Sequence, residues 1–432
     1  MTDAPAPPPA SAVATDAPLR TVVAWIVVAA AVGVACGGAS ALFLWSLEQV
    51  TGLRTSHPHL VFALPAAGLV IGLAYARFGA PIRAGNSLVI DTIHDDGPEV
   101  PLRMWPMVLG GTLATHLFGG SAGREGTAVQ MGASMADFVA HRARLSRTLR
   151  RHLLIAGVAG GFGSVFGTPL AGAVFAMEFV VLGRLQYQAL IPALVASVVG
   201  DLTTRGLGIT HTAFPEVSHL DLSPTVVAAW LAFALAVAAA CVVFIELTHG
   251  LARLGTRALP WAPARLAVGG AIVVAMWQLV GTDAYLGLGV PTIVRAFSDP
   301  DLPTWAFAAK LAFTAVTLGA GFIGGEVTPL FFIGAALGGV LAPALGLPRD
   351  LGAGVGMAAV FAAAANAPLA LSIMAVELLG VQVLPHVAIV CAVAYVAAGH
   401  RGIYGSQRLV RGKLGGRRAA PSRLAELRRR VG

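Results

Sequence analysis

Apolar runs recur from one end of the chain to the other, over roughly 21–50, 59–79, 104–120, 153–182, 187–200, 224–248, 266–281, 305–323, 326–346, 351–379 and 383–398. A helix that spans a bilayer needs about 20 mostly apolar residues, so the longer runs predict membrane helices. The shorter ones, and those cut by Gly or Pro, predict broken or tilted segments packed through small residues. The 52 glycines fit that pattern. The fold class expected is an all-α membrane protein of many helices.

The pattern repeats itself. Phe166-Gly-Thr-Pro-Leu-Ala-Gly-Ala-Val-Phe-Ala-Met-Glu178 matches Ala365-Asn-Ala-Pro-Leu-Ala-Leu-Ser-Ile-Met-Ala-Val-Glu377 at Pro, Leu, Ala, Ala and Glu, with an offset of 199. Upstream, Gly123-Arg-Glu-Gly-Thr127 and Gly325-Glu-Val-Thr-Pro329 stand 202 apart. Two landmarks at nearly one offset predict two membrane repeats, 21–210 and 211–410, after an N-terminal lead-in over 1–20. Duplicated halves with broken segments at matching places point to a transport site between them. Glu178 and Glu377, in equivalent places, are expected to be structural acids that cap or pair helices.

The breaks carry the candidate chemistry. Gly119-Gly-Ser-Ala-Gly-Arg-Glu-Gly-Thr127 precedes an apolar helical stretch. Glycines there interrupt the chain and leave the first helical N–H groups to attract an anion. Glu125 sits at that terminus, so its carboxylate can take the anion's place and give it up on protonation. A helix-end carboxylate paired with Arg124 would be the ordinary explanation in a soluble protein. Inside a membrane segment an ionisable side chain is a functional candidate. The second break, Gly324-Gly-Glu-Val-Thr-Pro329, places Glu326, Val327 and Thr328 at another helix start, where Thr328 also suits an N-cap. Gly85-Asn86-Ser87 offers amide and hydroxyl donors but reads equally as a turn, followed by Asp91, His94, Asp95 and Asp96. Tyr404, in Gly402-Ile-Tyr-Gly405, is expected to open the last helical stretch and to suit either a pore or an interface. Lys310 and Glu246 are isolated and expected near membrane boundaries.

Composition sharpens the class. Hydrophobic residues make up 56% and charged residues 12% of 432 positions, about half the charge of a soluble domain. A soluble enzyme, a disordered chain and a nucleic-acid binder are excluded. The net charge of +8 is local: residues 401–432 carry +9, with ten Lys/Arg against Glu426. A basic tail over 411–432 beside a final helix reads as cytoplasmic and as a contact for membrane lipid. Five Arg between His141 and His152 suggest the same side. Cys36, Cys241 and Cys391 lie in apolar runs without metal or disulfide spacing, so no cofactor is expected.

These motifs, in this order, resemble the CLC family of chloride channels and anion/proton antiporters, over nearly the whole chain after about residue 20. Gly85-Asn-Ser-Leu-Val89 stands where the family has GSGIP, Gly123-Arg-Glu-Gly-Thr127 where it has GREGP, and Gly325-Glu-Val-Thr-Pro329 where it has GxFxP; Tyr404 takes the late tyrosine's place. Asn86, Thr127 and Glu326-Val327-Thr328 depart from those signatures, and Phe179 occupies the usual inner proton glutamate's position. The departures resemble the fluoride-specific bacterial clade. The resemblance implies a homodimer of two inverted halves in a bacterial cytoplasmic membrane, exchanging fluoride for protons. It makes Glu125 the gate, Glu326 and Thr328 its assistants, and Asn86 and Tyr404 part of the anion route, with Gly85, Ser87, Gly123, Arg124, Gly126, Thr127 and Val327 contributing to binding. Added donors suit fluoride, whose tight hydration must be replaced by short hydrogen bonds. A chloride or broad-anion channel or exchanger is the alternative, and a cation-coupled carrier or intramembrane enzyme a more distant one.

Overall fold

The computed structural model describes residues 19–95, 99–415 and 417–426. The expected lead-in lies outside them up to residue 18, as does Asp96. Among these described residues there are sixteen α-helices. The first half holds α1 (Leu19–Ser56), α2 (Leu64–Phe78), α3 (Asn86–Asp95), α4 (Met104–Leu117), α5 (Glu125–Arg142), α6 (Arg147–Phe166), α7 (Pro169–Glu178) and α8 (Leu190–Gly206). The second holds α9 (Pro224–Ala258), α10 (Ala262–Val280), α11 (Val290–Arg295), α12 (Ala306–Ala320), α13 (Val327–Ala344), α14 (Arg349–Ala365), α15 (Pro368–Leu379) and α16 (Leu384–Ala397). Helix α1 thus already begins at Leu19, inside the segment expected as lead-in.

Among the described residues, five helical spans are long and apolar enough to cross a membrane, including Val22–Ser56 and Pro224–Ala258. Both leave most of their apolar window uncovered, with Val27, Trp45 and Leu235 more than half exposed. Such faces belong against lipid or another membrane protein. Helix α13 is apolar too, but lies 78% inside the protein, and α14 is buried along nearly its whole length.

The runs 153–182 and 351–379 are each cut into two helices by the same local chemistry. Gly167 (φ 74°) ends α6 and Asn366 (φ 57°) ends α14, both in the left-handed conformation, and Pro169 and Pro368 begin the next helices. Asn is among the few side chains that visit that region readily. Each new N-terminus then receives a carboxylate from the other half. Glu178 accepts from Leu369 N (3.2 Å) and Ala370 N (2.8 Å), and Glu377 from Leu170 N (2.9 Å) and Ala171 N (2.7 Å). The two acids are therefore structural caps, exchanged reciprocally. Glu178→Ala should lower unfolding stability by about 2 kcal/mol, the cost of leaving such donors unmatched; a thermal melt in detergent unchanged from wild type would refute it.

The halves also repeat a close helix crossing. A Cβ on Gly132 would run into the Gly157 carbonyl between α5 and α6, and one on Gly334 into the Gly356 carbonyl between α13 and α14. Gly334→Ala must push two buried helices apart, an overpacking cost of about 1–3 kcal/mol. We expect a lower melting temperature and less monodisperse protein, whereas Gly110→Ala, on α4 with open space before it, should behave as wild type. Equal behaviour of the two variants would contradict this packing.

The end of the chain differs from expectation. No helix opens at Tyr404; the segment turns and enters β2 (Arg408–Arg411), which pairs in parallel with β1 (Val181–Leu182) and antiparallel with β3 (Arg417–Arg423). Gly412 and Gly415 close the turn between β2 and β3. Leu409 packs against Leu182 and Leu424. The Arg-rich loop lies at this same end: Arg151 Nη2 donates to Gln186 Oε1 (3.2 Å), a few residues past β1. Glu246 is not isolated as expected: it pairs with Arg401 at 3.1 Å and is 42% exposed. Lys310 is the opposite case: it is fully buried in α12, its ammonium held by the carbonyls of Tyr285 and Gly287.

Candidate functional site

The two glycine breaks meet at the centre of the molecule. Gly123 N donates to Gly325 O (2.6 Å) and Gly325 N to Gly123 O (2.8 Å), an isolated antiparallel bridge that joins the starts of α5 and α13. Side chains are excluded here: a Cβ on Gly123 would sit 3.0 Å from Glu125 Oε2 and from Gly325 O, and one on Gly325 would sit 2.8 Å from Gly126 N. Two helix N-termini, each with free amides and a positive dipole end, therefore converge on one place.

Glu125 fills it. Its side chain is 1% exposed. Oε2 accepts from Thr328 N (3.1 Å) and Arg124 N (3.1 Å); Thr328 Oγ1 lies 2.6 Å from Oε1 and 2.7 Å from Oε2; Arg124 Nε is 3.4 Å from Oε1. The carboxylate thus joins the start of its own helix, through Arg124 N, to the start of the helix of the opposite half, through Thr328. A hydroxyl has one proton and sits here against both oxygens, so protonating Glu125 adds a donor to the same short contacts. The amides and hydroxyl that hold the carboxylate are the kind of donors that would serve a small anion in its place.

Cavities approach Glu125 from two ends. One, of about 510 Å³, runs past Glu48, Thr51 and Thr55 on α1 and Thr210 and Thr212 to Arg124. The other, of about 470 Å³, is lined by Gly85, Asn86, Ser87, Gln130, Glu326 and Tyr404. Helix α1 ends at the first cavity, and α2, returning from there, ends at the second, so the two lie on opposite sides. The Glu125–Thr328 contact sits between them, with a small cavity lined by Arg124, Phe166, Thr212, Thr328 and Phe331 on the Arg124 side.

Glu326, N-terminal to α13, faces the second cavity, and its Oε2 has no hydrogen-bond partner. A methyl on Gly126 would lie 3.2 Å from Asn86 Nδ2 and 3.5 Å from Glu326 Oε2, so Asn86, Gly126 and Glu326 crowd together beneath Glu125. Gly85 (φ 54°) turns the chain into α3, and Asn86 is 8% exposed with Oδ1 unpaired. Val327, the first residue of α13, is buried. Thr127 departs from the expected arrangement: its hydroxyl bonds Thr112 Oγ1 at 2.7 Å on α4, away from the carboxylate. The reason is its place one turn into α5, where the side chain points at the neighbouring helix.

An aromatic column that the sequence motifs do not announce flanks the site. From Tyr404 the rings run to Phe179 (5.8 Å), Phe175 (4.9 Å), Phe162 (4.4 Å), Phe166 (4.8 Å) and Phe331 (5.3 Å), with Phe361 against its middle. It links the Tyr404 cavity to the neighbourhood of Glu125. The signal was present as Phe at i and i+4 on two successive helices, Phe162/Phe166 and Phe175/Phe179. Gln407 secures its lower end, donating to Phe179 O (2.6 Å) and Ala365 O (2.7 Å).

Comparison with known proteins identifies the family. The chain is 48% identical, over 89% of its length and 86% of the relative's, to the chloride/fluoride channel protein of Pseudomonas syringae pv. tomato. A solved structure of a CLC-type fluoride/proton antiporter matches with TM-score 0.88 at 34% identity, covering 91% of this chain and all of that one. A slow cyanobacterial Cl−/H+ antiporter shares the fold at TM-score 0.75 and 22% identity, over 89% and 95% of the two chains. Residues 67–399 match the family described as voltage gated chloride channel, and the chain belongs to that CLC family.

Proposed function

We propose that the protein exchanges fluoride for protons, exporting fluoride across a bacterial cytoplasmic membrane as a homodimer whose subunits each carry a pathway through the two repeats, 21–210 and 211–410. The single observation that carries this reading is the Glu125 carboxylate seated on Thr328 N, Thr328 Oγ1 and Arg124 N, between two opposed cavities. A fluoride ion arriving from the Glu326 side displaces the carboxylate; the freed carboxylate takes a proton, and the anion leaves past Arg124. Short donors replace the water that fluoride gives up, which a site lined by apolar side chains cannot do. The dry aromatic column keeps water from bridging the cavities while Glu125 moves. The basic tail and the Arg-rich loop set the Tyr404 end toward the cytoplasm, with anionic lipid as their partner.

The relatives' names support anion transport and, for one solved structure, exchange of fluoride for protons. The name chloride/fluoride channel protein also favours a second reading, a less selective anion pathway. Liposomes loaded with either salt separate the two. Fluoride efflux through the purified protein should exceed chloride efflux at least tenfold; equal rates would exclude the fluoride-specific reading and leave the broader one.

A further inference from the structure

A second cluster of positive charge lies behind the wall of the Arg124 cavity, apart from Glu125 and Glu326. Lys310 is fully buried, donates to Gly287 O (2.6 Å) and Tyr285 O (3.2 Å), and lies 5.4 Å from the Phe332 ring centroid. An ammonium has three N–H groups, so one remains. Arg54, in the last turn of α1, is 6% exposed, and its Nε and Nη1 are buried without an acceptor. The two cations meet at Gly287: a methyl there would lie 3.6 Å from Arg54 Nη2 and 3.8 Å from His116 Cδ2.

Among the described residues no acceptor reaches Arg54 Nε or Nη1, although the Asp283 carboxylate is near enough to attract the guanidinium. Both His116 nitrogens face carbonyls, Thr112 O at 2.8 Å and Ala122 O at 3.1 Å, so the ring offers the cations no acceptor. Asp283 Oδ1 accepts from Trp277 Nε1 at 2.6 Å, and among the described residues no hydrogen bond joins Asp283 to Arg54 or Lys310. A guanidinium stays charged in proteins, and a buried charge with unmatched N–H groups is strongly disfavoured unless an anion completes it. We propose that Arg54 and Lys310 hold a small halide ion. A methyl at Gly287 would already touch both Arg54 and His116, so the space suits a one-atom anion rather than a phosphate or carboxylate. Thr51, Gly52 and Thr55 around Arg54, and Leu288 after Gly287, line the cavity that leads to Arg124. The ion therefore sits one layer behind the mouth of the pathway. This role rests on the anion-transport reading; the binding itself does not.

Crystals of the unmodified protein grown in sodium bromide and measured at the bromine edge test the site. An anomalous peak within hydrogen-bonding distance of Arg54 Nε or Nη1, lost in R54Q, is the expected result. A wild-type map with no peak there overturns the proposal, even if peaks mark the path past Glu125. A protein that binds bromide at Arg54 but moves no fluoride would overturn the transport reading alone. Should R54Q fail to fold, R54K keeps the charge but not the planar fork. Its half-saturating fluoride concentration for efflux should rise at least threefold at unchanged maximal rate and proton ratio, and an unchanged value would overturn the proposal.

Discussion

Replacing Glu125 by Gln should lower fluoride-driven proton movement at least ~100-fold, the lower end of what a positioned proton-transfer group contributes. That corresponds to about 2.7 kcal/mol of barrier. The substitution is nearly isosteric, and the Gln carbonyl still accepts from Thr328 N and Thr328 Oγ1, the donors that hold the carboxylate. The fold should therefore survive, and the melting temperature should stay close to wild type. What disappears is the charge that competes with the anion and the proton that crosses in exchange for it. A variant that still couples protons to fluoride at the wild-type ratio, recorded with a pH electrode on liposomes, would remove Glu125 from the mechanism.

Glu326→Gln is the second large effect. The carboxyl has one buried oxygen without a partner and shares its cavity with Asn86 and Tyr404, where, in the proposed exchange, it receives the inward-moving proton from Glu125 and releases it on the Tyr404 side. Phe179, which the resemblance puts at the place of an inner proton glutamate, is buried in the aromatic column, and Glu326 is the acid that lines the second cavity. Coupled turnover should fall at least tenfold, while fluoride binding, followed by titration calorimetry, should change by less than about threefold. Unchanged turnover would show that protons enter by another way. Loss of binding equal to the loss of turnover would make Glu326 an anion ligand instead.

Much of this site was legible because its chemistry depends on local breaks. Gly123-Arg-Glu-Gly and Gly325-Glu-Val-Thr interrupt apolar runs and put carboxylates at helix starts, and the structure brings both breaks together through the Gly123–Gly325 bridge. The repeat pairing of Glu178 with Glu377 was also readable, since two acids in apolar sequence at one offset need polar partners. What each caps was not, because Leu369 and Leu170 lie about 190 to 210 residues away in the chain. Thr127 misled because a hydroxyl at a helix start reads as a donor toward the break, while its rotation about α5 aims it at Thr112. Lys310 misled for a similar reason: hydropathy places a lone Lys at a boundary, and only the tertiary fold brings the Tyr285 and Gly287 carbonyls to it. The tail concealed a strand because its Leu409-Val410 pair is short and flanked by Arg, and its partner β1 lies more than 200 residues earlier.

In the proposed exchange a fluoride ion and the Glu125 carboxylate take turns in one seat, so that each anion crossing is tied to a proton crossing the other way. Wild-type protein in liposomes, with the voltage clamped by potassium and valinomycin and an outward fluoride gradient at equal pH, tests this directly. Protons should be driven inward against no gradient of their own, in a fixed ratio to fluoride leaving, and should reverse when the fluoride gradient is reversed. Fluoride leaving with no proton movement would contradict it.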